Sequence, residues 1–459
     1  MPQPIVAVIG RPNVGKSSLF NRIVGRRQAI VSEIAGTTRD RLISQVRWDD
    51  YDFILIDTGG LEQTPEGSIR EKVQEQAEMA MDSADVIIFM TDVTEGMTQA
   101  DQVVADRLRR AKKPIILAVN KVDNESREFD APEFYRLGLG DPLPISAYHN
   151  YGVYHLMDQV LSHFPPLDPF PDLSEDSLES SNDNLKEPGS VDPTELKLSI
   201  VGRTNVGKSM LLNAILGEER SIVSQVAGTT RDALDTSLTY SGHEITLIDT
   251  AGIRRPGQVQ KGIEKYSVIR SVSAVNRSDI ALLVVDATEL AAAQDAHIAG
   301  LAWDVCRGLI VVVNKWDLVD QEAWGARERA VAKVRERLHF MPYVPVVFTS
   351  ALNSQGITAL MQTALELWRE RLRFVPSREL QYVLADAMAA HAPPTGKGRR
   401  KHNRLNISRL RQVDVNPPTF LFTVDNPQLV HFSYQRYLEN KLRTSFGFDQ
   451  THLRLIFKK

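Results

Sequence analysis

The sequence predicts an α/β chain: two tandem domains, each a doubly wound, mostly parallel sheet, followed by a smaller α+β domain. Three observations carry this reading. Short apolar runs alternate with helical stretches through residues 1–164, the signature of a parallel sheet covered on both faces. The same pattern restarts at residue 195 with the same motifs, and a differently ordered set of elements fills residues 375–459.

A chain of 459 residues exceeds what one core usually covers, so several domains are expected. Its 42% hydrophobic and 24% charged residues are those of a globular protein, which excludes disorder over most of its length. No apolar run approaches the roughly 18 residues that a membrane span needs, and the N-terminus enters a strand without a basic leader. The expectation is a cytoplasmic protein with no membrane span. Cys306 is the single cysteine, so an intramolecular disulfide is excluded; beside the apolar run Leu309 to Val313 it reads as a half-buried packing residue.

In the first domain, residues 1–164, the apolar runs Val6 to Ile9, Phe53 to Ile56, Val86 to Met90 and Ile115 to Val119 are expected as buried parallel strands. Residues 41–56 differ: two alternating runs flank Asp49-Asp50-Tyr51, predicting a hairpin that adds an antiparallel edge strand. Residues 165–194 read as an acidic linker. Between Asp168 and Glu195 lie nine carboxylates and one lysine, Lys186, whose self-repulsion predicts an extended, mobile tether.

The second domain, residues 195–374, opens with a strand at Leu196 to Val201 and closes with a helix at Ile357 to Leu372, before Pro376. The third is expected in α-β-β-α-β order: helix Arg378 to Ala390, basic loop Pro393 to Asn403, strands Leu405 to Val413 and Thr419 to Val424, helix Tyr434 to Ser445 and strand His452 to Phe457. Such an order forms one sheet with its helices on a single face. From Glu370 onward sixteen Lys and Arg face seven Asp and Glu, against a net charge of −4 overall, so this end suits an anionic partner.

Gly10-Arg11-Pro12-Asn13-Val14-Gly15-Lys16-Ser17 returns 192 residues later as Gly202-Arg203-Thr204-Asn205-Val206-Gly207-Lys208-Ser209. Each octapeptide lies between an apolar strand and a helical stretch beginning at Ser18 or Met210, the setting that a phosphate loop requires. Backbone N–H groups and a helix N-terminus then face a polyphosphate, the lysine meets its outer phosphates and the serine holds Mg²⁺. Asp57-Thr58-Gly59-Gly60, followed by Leu61, repeats as Asp249-Thr250-Ala251-Gly252, followed by Ile253. The aspartate can hold Mg²⁺ through water, and the last glycine can offer its N–H to a terminal phosphate.

Asn120-Lys121-Val122-Asp123 and Asn314-Lys315-Trp316-Asp317 select guanine, because a carboxylate accepts from both N1–H and the 2-amino group while adenine lacks that donor pair. Ser146-Ala147 and Ser350-Ala351 are placed to reach the base edge from a later loop. Together these motifs predict a GTPase, duplicated as a whole domain. Between the first two motifs Gly36-Thr37-Thr38-Arg39-Asp40 and Gly228-Thr229-Thr230-Arg231-Asp232 can swing a threonine hydroxyl onto Mg²⁺ when a γ-phosphate is present, which makes a switch. Water is the nucleophile, and Lys16 and Lys208 stabilise charge on the transferred group. Leu61 and Ile253 stand where signalling GTPases carry a water-orienting glutamine, and no side-chain base is evident.

These residues resemble the phosphate-loop GTPases that include Era and the tRNA-modification GTPase. Two such domains in tandem before a small basic one resemble the Der (EngA) family, bacterial double GTPases of ribosome assembly, over essentially the whole chain. The resemblance implies that Thr38 and Thr230 join Ser17 and Ser209 on Mg²⁺. It implies a K⁺ ion near the β- and γ-phosphates, held by Asn13 and Asn205 with Ser32, Ile34 and Thr37, or Ser224, Val226 and Thr229. It implies a KH-like C-terminal domain that repacks with nucleotide state, GTP and GDP as ligands, and the large ribosomal subunit and its RNA as partner of a monomer. One departure stands out: a KH domain grips RNA with a G-x-x-G loop, and Gly396-Lys397-Gly398 is spaced differently. Lys397, Arg399, Arg400, Lys401, His402, Arg404, Arg409 and Arg411 instead suit phosphate contacts. A nucleotide-dependent scaffold with little turnover is the alternative reading.

Overall fold

The computed structural model describes residues 2–26, 43–49, 51–58, 77–78, 80–111, 113–166, 195–218, 221–223, 235–250, 253, 263–290, 293–305, 307–320, 325–393 and 405–459. Cys306, the expected linker beyond residue 166 and the basic loop residues 394–404 lie outside them. Two compact units divide the chain: Met1–Leu173 with Val259–Ser273, and Ser174–Gln258 with Ala274–Lys459.

In the first unit the chain runs through β1 (Ile5–Gly10), α1 (Lys16–Arg26), β2 (Ile43–Trp48), β3 (Tyr51–Asp57), β4 (Val86–Asp92), α2 (Gln99–Leu108), β5 (Ile115–Asn120), β6 (Leu143–Pro144) and α3 (Val153–Ser162). The sheet order is β2-β3-β1-β4-β5-β6. Every pair is parallel except β2 with β3, whose register sets Val46 against Phe53 and Trp48 against Tyr51 around the expected hairpin. All residues of β1 and β4 are buried, which is why the two strands open as apolar runs, Ile5 to Ile9 and Val86 to Met90. Strand order reverses at β1, so a crevice opens beyond its carboxyl end, where ligands of such sheets sit.

The second unit repeats the plan with β7 (Glu195–Val201), α4 (Lys208–Leu216), β8 (Ser221–Val223), β9 (Thr236–Tyr240), β10 (His243–Ile248), the last turn of α5 (Ile263–Arg277), β11 (Ile280–Asp286), α6 (Ala293–Asp304), β12 (Gly308–Asn314), α7 (Ala326–Arg337), β13 (Val346–Phe348) and α8 (Ile357–Arg371). Its sheet runs β13-β12-β11-β7-β10-β9-β8. The three-residue β8 pairs antiparallel with β9, an edge strand too short to announce itself by periodicity. Both phosphate-loop helices start at the lysine, two residues before the first residue expected from the apolar pattern.

The same unit ends in α9 (Ser377–Ala390), β14 (Ile407–Val415), β15 (Pro418–Val424), α10 (Phe432–Phe446) and β16 (Arg454–Lys458), the expected α-β-β-α-β order. Strand β15 lies between β14, antiparallel, and β16, parallel; the parallel pair requires the crossover that α10 supplies. Leu380, Leu384, Phe420, Phe422, Leu438, Leu442 and Phe448 form the core under the two helices. A polar lock joins this domain to α8. Arg371, fully buried, donates through Nε and Nη2 to Asn416 Oδ1 at 2.9 and 2.7 Å and through Nη1 to Thr451 Oγ1 at 3.1 Å. Beside it Glu370 accepts from the backbone N–H groups of Gln450 and Thr451 at 2.8 and 2.9 Å. Asn416 Nδ2 continues the chain to Asp279 Oδ1 at 2.7 Å, and Asp279 Oδ2 accepts from Lys197 N–H at the start of β7 at 2.9 Å.

Candidate functional site

The first site forms where β1 ends. Gly10 and Gly15 have φ of 151° and 100°. A Cβ on Gly10 would meet the Met90 carbonyl oxygen at 2.4 Å, and one on Gly15 would meet Asn120 Nδ2 at 2.2 Å, so only glycine fits either position. Between them Asn13 takes a φ of 66° and stands exposed at the crest of the loop. Lys16, only 4% exposed, donates Nζ to the carbonyls of Gly10 and Arg11 at 2.7 and 2.6 Å. Ser17 follows on α1 and donates Oγ to Asp57 Oδ2 at 2.8 Å, which joins the two oxygens expected to share a divalent cation. Thr58 donates to the Val8 carbonyl at 2.7 Å and ties the end of β3 to β1.

The base-recognition motif is tied to this loop. Asn120 Nδ2 donates to the Val14 carbonyl at 2.7 Å, and Asn120 Oδ1 accepts from Ala147 N–H at 2.9 Å. Ser146 Oγ donates to Asp123 Oδ1 at 2.8 Å, so the residues expected at the guanine edge converge. Lys121, with a φ of 67°, reaches Asp92 at 2.5 Å. Burial works against the Asp92 charge, but Lys121 and the donors of Thr94 more than offset it and hold the carboxyl below its usual range.

The second copy repeats most of this geometry. Gly202, Asn205 and Gly207 have φ of 141°, 64° and 95°, and Lys208 Nζ donates to the carbonyls of Gly202, at 2.8 Å, and of Arg203. Asn314 bridges Val206 O and Ala351 N–H at 2.9 and 3.0 Å, and Lys315 pairs with Asp286 at 2.6 Å. Burial lowers the Lys208 ammonium to about 8, with Asp295 pulling the other way. Two features differ. Ser209 donates to the Ile253 carbonyl at 2.8 Å, and Asp249 has a φ of 55° with its N–H on Asp235 Oδ1 at 2.8 Å. Ser350 Oγ accepts from Asn353 N–H at 3.3 Å just as Ser146 Oγ accepts from His149 N–H at 3.1 Å, and Ser146 also donates to Asp123.

Thr38, Thr230, Gly59, Gly60, Leu61, Ala251, Gly252 and the residues expected to join Asn13 and Asn205 around K⁺ lie outside the described residues. Sequence reasoning missed the carboxylates that brace each site. Arg11 pairs with Asp101 and Glu95 at 2.9 and 2.6 Å, and Arg203 with Asp295 and Glu289 at 3.3 and 3.1 Å. A signal existed: Asp92, Glu95 and Asp101 recur 194 residues on as Asp286, Glu289 and Asp295.

Comparison with known proteins follows the same division. Residues 5–121 and 197–315 match the family model described as 50S ribosome-binding GTPase. Residues 375–458 match the model described as KH-domain-like of EngA bacterial GTPase enzymes, C-terminal. The chain is 47% identical over 466 residues to a GTPase Der of Thermomicrobium roseum, covering 100% of this chain and 96% of the relative. It is 46% identical to that of Chloroflexus aggregans, over 100% of this chain and 98% of the relative. Against that of Staphylococcus saprophyticus it is 44% identical, over the full length of both.

Proposed function

The chain belongs to the Der family of GTPases and hydrolyses GTP to GDP and phosphate, and we propose that this activity serves as a switch in assembly of the large ribosomal subunit. In this reading the KH-like domain is repositioned as nucleotide state changes, and the protein works as a cytoplasmic monomer. The observation that carries the proposal is the match of both GTPase domains to a model of 50S ribosome-binding GTPases, within relatives aligned over 96% and 100% of their length.

The proposed chemistry follows from the residues already placed. Phosphate-loop N–H groups bind the polyphosphate, and Lys16 and Lys208 neutralise charge that grows on the transferred phosphoryl group as water attacks. Asp123 and Asp317 read guanine, with the loops of Ser146-Ala147 and Ser350-Ala351 behind them. Ser17 and Asp57 fit Mg²⁺, since their oxygens already meet at 2.8 Å and are hard donors; with Thr38 they would hold it, as Ser209, Asp249 and Thr230 would in the second site. Mg²⁺ held there would supply positive charge that neutralises the polyphosphate. Asn13 and Asn205, exposed in matching left-handed conformations at the loop crests, fit as K⁺ ligands. Arg409, Arg411 and the basic loop before them would meet RNA phosphates.

Co-sedimentation with separated ribosomal subunits tests the proposal, comparing a non-hydrolysable GTP analogue with GDP in potassium and in sodium buffer. Binding to the large subunit with the analogue and release with GDP is the expected result. Equal binding in both states, or none, would overturn the switch reading.

A further inference from the structure

One arginine in each phosphate loop has its two ends fixed to different parts of the site. The side chain of Arg11, a residue only 8% exposed, donates Nε to Asp101 Oδ1 at 2.9 Å and Nη1 to Glu95 Oε2 at 2.6 Å. Asp101 is fully buried, and its second oxygen accepts from the N–H and hydroxyl of Thr98 at 3.0 and 2.7 Å, which caps α2. The backbone carbonyl of the same Arg11 accepts from Lys16 Nζ at 2.6 Å. Burial works against the guanidinium charge, yet Glu95 and Asp101 more than offset it, so Arg11 holds its proton more firmly than an exposed arginine. With Nε and Nη1 on carboxylates, the guanidinium is held away from the role of an arginine finger.

The second copy builds the same contacts from Arg203, Asp295, Glu289 and Lys208. Arginine and aspartate are 90 residues apart in the first copy and 92 in the second, so the pair persists although the intervening chain changed length. A pairing that came only from copying a rigid segment would not need to survive that change.

We propose that Arg11 and Arg203 are positioning residues for GTP hydrolysis: each ties the carbonyl that holds the phosphate-loop lysine to the start of a distant helix, α2 in the first copy and α6 in the second, and so fixes the ammonium where the phosphoryl group builds charge. The loop begins at a glycine with left-handed freedom and is hydrogen-bonded to the base-recognition motif at Val14, through Asn120. The arginine anchors the stretch between these points. GDP is held largely by backbone N–H groups and the guanine contacts, whereas the transition state depends on where the lysine stands. Loss of the anchor therefore falls on turnover more than on GDP affinity. The inference depends on GTP hydrolysis alone and not on the ribosomal reading.

The test uses the full chain with the second domain silenced by Lys208→Ala, and measures turnover at saturating GTP, GDP affinity with a fluorescent nucleotide, and thermal unfolding. Arg11→Gln is expected to lower kcat by about 10- to 100-fold, the size of effect that a displaced catalytic group produces, with GDP affinity changed less than about threefold. Arg11→Lys recovers part of the loss, because an ammonium keeps the charge but lacks the fork that spans two carboxylates. Asp101→Asn, which keeps an acceptor for Thr98, gives a loss similar to that of Arg11→Gln, and the double variant is no worse than either single one. Unchanged turnover in Arg11→Gln would overturn the proposal. So would turnover and GDP affinity falling together in step with melting, or losses that multiply in the double variant.

Discussion

Replacing Arg371 by methionine should undock the KH-like domain from the second GTPase domain without unfolding it. Methionine fills most of the space but donates nothing, so Asn416 Oδ1 loses both its guanidinium donors and Thr451 Oγ1 loses one, in a place where Arg371 has no exposed surface. A buried acceptor left without a donor costs about 1–3 kcal/mol, in full for buried Thr451 and in part for half-buried Asn416. Removing the guanidinium also relieves its own desolvation, so the lower half of the summed range, about 3 kcal/mol, is the expected loss, or roughly 10²-fold in the docking equilibrium. Hydrogen exchange of peptides covering residues 449–453 reads this directly, because the amides of Gln450 and Thr451 donate to Glu370 on α8 only while the domains are packed. Their protection should fall about 100-fold by that arithmetic, while the β15 amides of Phe420 to Phe422 keep theirs. Unchanged protection at 450–451 would refute the lock, and equal loss in β15 would show that Arg371 supports the fold of the domain rather than its docking.

Two further outcomes follow from the geometry of the chain. Gly15→Ala forces a side chain onto a φ of 100° and a Cβ to within 2.2 Å of Asn120 Nδ2, so nucleotide affinity of the first site should drop by about 10- to 100-fold. Gly25→Ala on α1, where an added Cβ meets nothing within 4 Å, should leave it unchanged, and fluorescent-nucleotide titration of both variants checks the contrast. His452 predicts acid sensitivity: burial first, then repulsion by Arg443, Arg371 and Arg454, lowers its ring from 6.5 to about 3. The native ring is neutral, so stability is complete above about pH 6.5 and is lost as pH falls toward 3, because the unfolded chain takes up the proton. The slope is about 1.4 kcal/mol per pH unit at most, or up to about 2 kcal/mol by pH 5, with some relief because the residue is half-buried. Denaturant midpoints across that range should lose part of their slope in His452→Phe, and an identical slope in the variant would exclude this residue as the cause.

The sheets were legible because their central strands are buried on both faces and therefore write themselves as unbroken apolar runs, as in Val86 to Met90. The hairpin at residues 43–57 was legible for the opposite reason, since a half-covered ribbon alternates. Helix α1 was placed two residues late because Lys16 and Ser17 open it with polar side chains that carry no periodicity. Asp92, Glu95 and Asp101 went unread because single carboxylates at a strand end, in a turn or in the first turn of a helix look solvated; only their recurrence at 194 residues distinguishes them. The Arg371 lock had no local signal at all, since its partners lie 45 and 80 residues away and none belongs to a repeated motif.

The most consequential difference between the two sites is likewise written outside the motifs. Their phosphate loops differ at one residue, Pro12 against Thr204, yet Ser17 donates to Asp57 while Ser209 donates to the Ile253 carbonyl. The cause lies with Asp235, whose carboxylate accepts the Asp249 N–H at 2.8 Å and pairs with Arg277 at 2.8 Å. That contact holds Asp249 at a φ of 55°, a left-handed backbone that aspartate tolerates better than most residues. In the first copy the corresponding positions are Ile43 and Ser83, and neither can supply the ion pair. Duplication has therefore kept the residues that would touch nucleotide and changed those that decide how the aspartate proposed to hold Mg²⁺ is presented. Equal motifs do not make equal sites, because the backbone that carries a ligand is set by its neighbours as much as by the ligand itself.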